Sequence, residues 1–299
     1  NRHIFKKIQV MTWRTVVITN KAKLSYKNDY LIVRNDEVKL IHLSEINTII
    51  IDTTAATMTS YLISEMLSRK IKIIICDKKR NPQGEIVSYY GSHNTSEQIF
   101  KQIKWDDYCK IIWTRIIEEK IINQANFLKE LNIENYQMLY DYVGDLVLFD
   151  ESNREGHAAK VYFNSLFGKY FTREDQCDIN YALNYGYTIL LSQFNKEIVS
   201  QGYLTQLGIK HHNVYNSFNL SSDLMEPFRP LVDKIVKENF NERFDGGMKV
   251  KLVDVLNHKV RIKGKDQYVS NAISIYVKSV FNAIDKKDVD LINFFEYEL

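Results

Sequence analysis

Three short segments in the second half of the chain carry the side chains best suited to chemistry: residues 154–163, 207–212 and 220–230. They bring Glu155, the adjacent pair His211 and His212, and Asp223 with Glu226. Carboxylates joined by one imidazole suit a hard divalent ion that polarises a phosphate. The set points to a metal-dependent enzyme acting on nucleic acid.

Each candidate also has a purely structural reading. Glu155 follows Ser152 at the spacing of a capping box, which would use its carboxylate to close a helix start. It also shares a helical face with Ala159, Tyr162 and Leu166, so it heads an otherwise apolar stripe, where a charge needs a cation or an ion pair. Glu226 falls with Asp233 and Lys237 on what reads as the polar face of a helix, the place of a solvated surface glutamate. Pro227 removes a backbone donor if the helix already runs from Asp223, and the resulting kink or late start would re-aim Glu226. Asp223 and Glu226, three apart, then face one site. Adjacent histidines point in different directions, so at most one of His211 and His212 serves the same ion. They lie after Gly208 in a polar connection, where site residues commonly sit.

Such a site needs a core to hold it. The 299 residues are 45% hydrophobic and 26% charged, an ordinary globular balance with room for two domains. Three cysteines at widely spaced positions, Cys76, Cys109 and Cys177, support neither a disulfide framework nor a cysteine zinc site and fit a reducing, cytoplasmic setting. No apolar run is long enough for a membrane span. Residues 1–10 read as an extension or remnant ahead of a strand-like run that begins after Met11. Gly-rich phosphate loops are absent, which removes the common nucleotide-cofactor folds.

Alternating apolar positions and turn pairs predict a β meander through residues 11–90: strands over 23–26, 30–33 and 38–43, turns at Asn28-Asp29 and Asn35-Asp36, and a buried run at 48–51. A helix is expected over 57–70, a strand over 71–76 and a turn over 81–84. Residues 91–97 form the expected linker. From Glu97 onward glycine and proline almost vanish for about fifty residues and the periodicity turns helical, with Trp105, Tyr108, Ile112 and Ile116 on one face; the rest of the chain, residues 98–299, reads as mainly helical. The expected class is α+β: a small N-terminal β-rich domain followed by a larger, mainly α-helical catalytic domain.

The net charge is only +3, so contact with a polyanion requires local concentration of cations. Residues 258–265 place Lys259, Arg261, Lys263 and Lys265 at alternate positions. As one strand they make either a phosphate track or a solvated edge guarded against unwanted pairing.

Taken together, residues 155–163, 182–187, 208–211 and 223–230 resemble the CRISPR-associated spacer-acquisition integrase family, in its type II form, from about Met11 onward. The resemblance implies that Glu155, His211 and Glu226 hold Mg²⁺ or Mn²⁺, with Asp223 and His212 close by. The choice of His211 follows the family's Gly-x-x-His pattern at Gly208, and the loop 213–219 is longer here than in the common form. The resemblance further implies a homodimer, a small ferredoxin-like partner of the same system, and double-stranded DNA as substrate. The implied reaction is transesterification, joining the 3′-hydroxyl of a short foreign DNA to the repeat of the array. Two rivals stand beside it: a general metal-dependent endonuclease and a non-enzymatic DNA-binding scaffold.

Overall fold

The computed structural model describes residues 14–78, 82–90, 95–241 and 243–296. The chain divides between Tyr89 and Tyr90 into two compact units, the first rich in strands and the second helical.

In the first unit β1 (Arg14–Ile18), β2 (Lys23–Lys27), β3 (Tyr30–Arg34), β4 (Val38–His42), β5 (Ile46–Ile51) and β6 (Thr57–Met58) precede helix α1 (Ser60–Ser68), followed by β7 (Lys72–Cys76) and β8 (Pro82–Ile86). The turn between β2 and β3 sets the first hairpin: Asn28 and Asp29 both take positive φ, 50° and 66°, the twist that a two-residue loop between antiparallel strands demands. The meander is therefore real over β2 to β4. It does not extend to the remaining strands, which is a correction: β1, β5 and β7 run parallel in a second sheet of order β1-β5-β7-β8. Central placement explains the composition of β5, where Ile46, Ile49, Ile50 and Ile51 are all buried because both faces are covered. Two further boundaries shift. Thr57 and Met58 pair with Lys23 and Leu24, so α1 begins only after Thr59, whose hydroxyl accepts the Leu62 N–H. Pro82 to Ile86 form a strand on β7 rather than the expected turn.

The extension over 1–10, Met11, Trp13 and Asn81 lie outside the described residues. So does the expected linker as far as residue 94; its last three residues belong to a helix.

The second unit contains α2 (Thr95–Ile103), α3 (Tyr108–Glu130), α4 (Tyr136–Gly144), α5 (Arg154–Phe167), α6 (Asp178–Ser200), α7 (Asn219–Leu224), α8 (Arg229–Glu238), α9 (Gly246–Val253), strands β9 (Lys259–Ile262) and β10 (Lys265–Tyr268), α10 (Val269–Lys286) and β11 (Phe295–Glu296). Helices α3 and α6 form its centre. α3 packs on α4, α5 and α8, and α6 on α8, α9 and α10. Both bury residues around most of their circumference, as central helices do. Ile112 and Ile116 join that core as expected, whereas Trp105 precedes α3 and packs on Tyr203 and Phe281.

The basic segment is corrected most. Lys263 and Gly264 take φ of 53° and 68° and turn the chain, so β9 and β10 form a hairpin instead of one strand. Lys259 and Arg261 keep one face of β9. Lys263 sits in the turn, and Lys265 lies opposite Ile262, on the other face. Asp266 and Glu296 stand directly opposite Arg261, with the Glu296 carboxylate 3.7 Å from its Nε. A continuous cationic face is not formed. Among the described residues no helix is long and apolar enough to cross a membrane.

Gly186 marks the tightest approach of α6 to its neighbours, since a Cβ there would collide with Val232 of α8 and press on Leu252 of α9. Gly186→Ala should therefore destabilise the protein by about 1–3 kcal/mol through overpacking, outweighing the helix-propensity gain of alanine. Gly144→Ala, which meets nothing within 4 Å, should be neutral or slightly stabilising. Urea unfolding of the two variants checks both.

Candidate active site

Glu155 sits in the first turn of α5, and that turn is capped by another residue. The Asp150 carboxylate accepts the N–H groups of Arg154 at 2.7 Å and Glu155 at 3.1 Å. No capping box forms with Ser152, and the Glu155 carboxylate is left to point along the buried stripe of Ala158, Tyr162 and Leu166. Asn153 enters α5 in the left-handed region, φ 53°, and its amide fills the space that a Cβ on Gly156 would need.

Glu226 is placed by the proline beside it. α7 ends at Leu224, Pro227 brings no N–H, and a single 3-10 turn over Glu226–Phe228 bridges to α8. The change of direction carries Glu226 inward, to 4% side-chain exposure, away from the surface position its helical spacing suggested. Asn123 of α3 fixes the turn by donating to the Pro227 carbonyl at 3.0 Å.

The two carboxylates converge on Lys120, which α3 delivers into the same space. Its ammonium lies 2.6 Å from Glu155 Oε1 and 2.5 Å from Glu226 Oε2. Burial disfavours the lysine charge, but the two carboxylates outweigh it and hold the ammonium above the ordinary lysine value. Arg229 takes the other oxygen of Glu226 through Nε and Nη2, both at 2.9 Å. Burial alone would push the Glu226 carboxyl up; Arg229 and then Lys120 reverse this and keep it below its usual range. A negative charge is thus maintained in a place where it would otherwise be lost.

His211 is held by Asp223, which is fully buried. One carboxylate accepts the consecutive N–H groups of Ile209 at 2.5 Å, Lys210 at 3.0 Å and His211 at 3.2 Å, and pairs with His211 Nδ1 at 2.5 Å. Gly208 is required by this clamp, because a Cβ there would strike the His211 carbonyl and stand 2.8 Å from Asp223 Oδ2. The spacing of Gly208, His211 and Asp223 is therefore one structural unit. The Asp223 hydrogen bond raises the His211 pKa against the effect of burial, and Glu226 and Glu155 add to the rise, so both carboxylates lie within electrostatic reach of the ring. With Nδ1 engaged by Asp223, Nε2 is the nitrogen left to coordinate. Trp113 supports the ring edge-on, with centroids 5.9 Å apart. His212 turns elsewhere, into a cavity it shares with Trp105, Cys109 and Phe149.

Glu155, Glu226, Asp223 and His211 are thus brought into one neighbourhood, and Lys259, Arg261, Lys263 and Lys265 belong to the separate hairpin. Among the described residues no three histidine, cysteine or acidic groups are already drawn around a single point. The place between the two glutamates is taken by Lys120. The donor chemistry nevertheless fits Mg²⁺ or Mn²⁺: two carboxylates meet at one cation-sized position, and an imidazole is oriented by its own carboxylate.

Sequence reasoning missed Lys120 and Arg229, and it placed Asp233 on a polar helical face where the structure buries it completely. Lys120 was visible as a cation set between the pairs Ile116-Ile117 and Ile121-Ile122, and Arg229 as a cation three residues after Glu226. Asp233 is buried under two tyrosines: Tyr162 donates to it at 3.0 Å and Tyr187 donates to its other oxygen. The Arg229 guanidinium lies over the Tyr187 ring, 4.6 Å from its centroid, linking this pair to Glu226.

A profile of the CRISPR associated protein Cas1 family matches residues 15–245. The chain belongs to the Cas1 family. The CRISPR-associated endonuclease Cas1 of Neisseria meningitidis serogroup C (strain 8013) is 30% identical over 286 residues, covering 93% of this chain and 94% of that protein. Among solved structures, a casposase bound to integration product superposes with a TM-score of 0.72 at 19% identity, over 92% of this chain and 93% of that one. A Cas6-RT-Cas1--Cas2 complex contains a chain that matches with a TM-score of 0.71 at 20% identity. That match covers 94% of this chain and 36% of the longer one. These two likenesses establish the Cas1 fold: a strand-rich N-terminal region followed by a helical domain.

Burial pushes the Asp233 carboxyl up to about 6 from 3.8, even though both tyrosines favour its charged form. The folded state then binds the proton more tightly than the unfolded chain, so this contribution to stability is fully present below about pH 4 and is lost as pH rises through about 6. Asp233→Asn should remove the effect, of order 3 kcal/mol across that window. Unfolding curves of wild type and variant between pH 4 and 7 should show the wild type losing stability relative to Asp233→Asn.

Proposed function

We propose that this Cas1 protein is a divalent-metal-dependent DNA integrase of CRISPR adaptation, joining the 3′-hydroxyl ends of short foreign DNA to the repeat of the array. The observation that carries the reading is the convergence of Glu155 and Glu226 on one cation position beside an imidazole aimed by Asp223. Glu155 and Glu226 would hold Mg²⁺ or Mn²⁺ through carboxylate oxygens and His211 through Nε2. Bound there, the ion supplies Lewis acidity toward the scissile phosphate and lowers the pKa of the attacking hydroxyl. The imidazole favours Mn²⁺ relative to an all-oxygen site, while cellular abundance favours Mg²⁺.

The residues of the chain do the positioning. Asp223 fixes the His211 ring and its protonated nitrogen. Arg229 keeps Glu226 ionised despite its burial, and Asn123 holds the turn that aims it. In transesterification the 3′-oxygen forms a new bond to phosphorus as the bond to the departing 3′-oxygen breaks. The proton lost by the first oxygen is balanced by the proton gained by the second. One phosphodiester replaces another, so no nucleotide energy source is needed.

The partners of the proposal are double-stranded DNA, a second copy of this chain and the small ferredoxin-like protein of the same system, in the cytoplasm. The Cas2 named in the solved Cas6-RT-Cas1 complex supports such a protein partner. A second reading, hydrolytic cleavage with water as nucleophile, is favoured by the endonuclease name of the Neisseria relative. The same residues would serve it. A purely DNA-binding scaffold would use the acidic residues as caps or surface charges, and neither Glu155 nor Glu226 has that role.

Labelled foreign DNA incubated with a repeat-containing duplex and Mn²⁺ separates these readings, since joining lengthens the labelled strand and cleavage only shortens DNA. Glu155→Ala and His211→Ala should each lose joining by at least about a hundredfold while remaining folded, and His212→Ala should retain most of it. Joining at wild-type rate by folded Glu155→Ala protein would overturn the site assignment, and a dead His212→Ala beside an active His211→Ala would move the ligand by one residue.

A further inference from the structure

Lys120 occupies the position around which the proposed metal site is organised. It projects from the middle of α3, a helix packed on α4, α5, α8 and α10, and its side chain is 8% exposed. The contacts at 2.6 Å and 2.5 Å go to the same two carboxylates that would bind the ion. A divalent ion bound to both at roughly 2.1 Å and an ammonium in contact with both require the same space. Only one cation fits.

The surrounding charges are arranged so that either can be the occupant. Arg229 grips the far oxygen of Glu226, which therefore keeps a positive neighbour if Lys120 departs. Glu155 is the more open member, with 30% side-chain exposure, and provides the side from which an ion can approach. The four-carbon stem of lysine allows its ammonium to withdraw while the helix stays in place.

We propose that Lys120 is a displaceable internal cation. In the metal-free protein it holds Glu155 and Glu226 together, and the divalent ion binds by replacing it. The apparent metal dissociation constant is then the intrinsic one divided by the fraction of molecules whose lysine is withdrawn. Lys120 thereby sets the concentration of Mg²⁺ or Mn²⁺ at which the site assembles. This rests on the metal-site reading above, and the experiment separates the two.

Mn²⁺ binding to DNA-free protein is measured by calorimetry for wild type, Lys120→Met, Lys120→Gln, Glu155→Gln and His211→Ala, with thermal unfolding in parallel. Lys120→Met and Lys120→Gln should bind Mn²⁺ about tenfold or more tightly than wild type. Their melting temperatures should fall without metal and rise more steeply than wild type on Mn²⁺ saturation. Unchanged or weaker Mn²⁺ affinity in both lysine variants overturns the proposal, provided Glu155→Gln and His211→Ala weaken binding. If those two controls bind Mn²⁺ like wild type, the metal-site reading itself fails and the proposal falls with it. Wild-type protein gives a measurement independent of variant folding: amine acylation followed by peptide mass mapping. Saturating Mn²⁺ should raise acylation of Lys120 several-fold, with Lys72, buried against Glu85 in the other unit, as internal reference. Acylation of Lys120 that does not change with Mn²⁺ overturns the exchange.

Discussion

Two carboxylates taken out of water need positive charge, and that requirement organises the helical unit around them. Glu226 is almost wholly enclosed and Glu155 is partly so, in a region where an uncompensated charge is costly. Lys120 and Arg229 answer this from two sides, one reaching from α3 and the other following Glu226 in the chain. Removing either partner of such a buried pair is more disruptive than never having built it, because the remaining charge is stranded. The packing of α3 against α5 and α8 thus brings the groups that make the site electrically tolerable together with the carboxylates proposed to hold the metal.

The same logic extends outward through hydrogen bonds. Arg229 lies over Tyr187, and Tyr187 donates to Asp233, which also receives Tyr162 from the apolar face below Glu155. Glu155 and Glu226 are therefore connected directly through Lys120 of α3 and indirectly along α5 through Tyr162, Asp233, Tyr187 and Arg229. His211 belongs to a separate support, the Asp223 clamp, in which a carboxylate of α7 holds both the loop backbone over 209–211 and the imidazole it carries. Three ligand candidates have three different kinds of anchor: a helix start, a proline turn and a loop clamp.

Much of this was legible in the residues. Asn28-Asp29 announced its hairpin because only a few residue types accept consecutive positive φ, and the isoleucines of β5 announced a strand covered on both faces. The effect of Pro227 was legible because a missing N–H acts locally. Glu226 as an enclosed group was harder, since helical spacing alone put it outside; only the interruption of the helix reversed its direction. Lys120 went unseen because it is one of several lysines along α3, and only the packed partner helices show which of them is enclosed. The basic hairpin failed for a local reason. Lys263-Gly264 supplied a turn, but the alternation of cations on both sides of it imitated one uninterrupted strand, and its neutralising partners Asp266 and Glu296 become apparent only after pairing.

The loop after His211 carries a different implication. Its base is stitched across: Thr205 Oγ1 donates to the Ser217 carbonyl, the Leu220 N–H donates to the Thr205 carbonyl, and the Asn219 amide donates to the carbonyls of Gln206 and Asn213. Val214 and Tyr215, beyond these ties, are almost fully exposed. The excursion behaves as an appendage sewn on at its hem. A change in its length or at its tip is therefore absorbed above the hem, leaving the imidazole a few residues away in register.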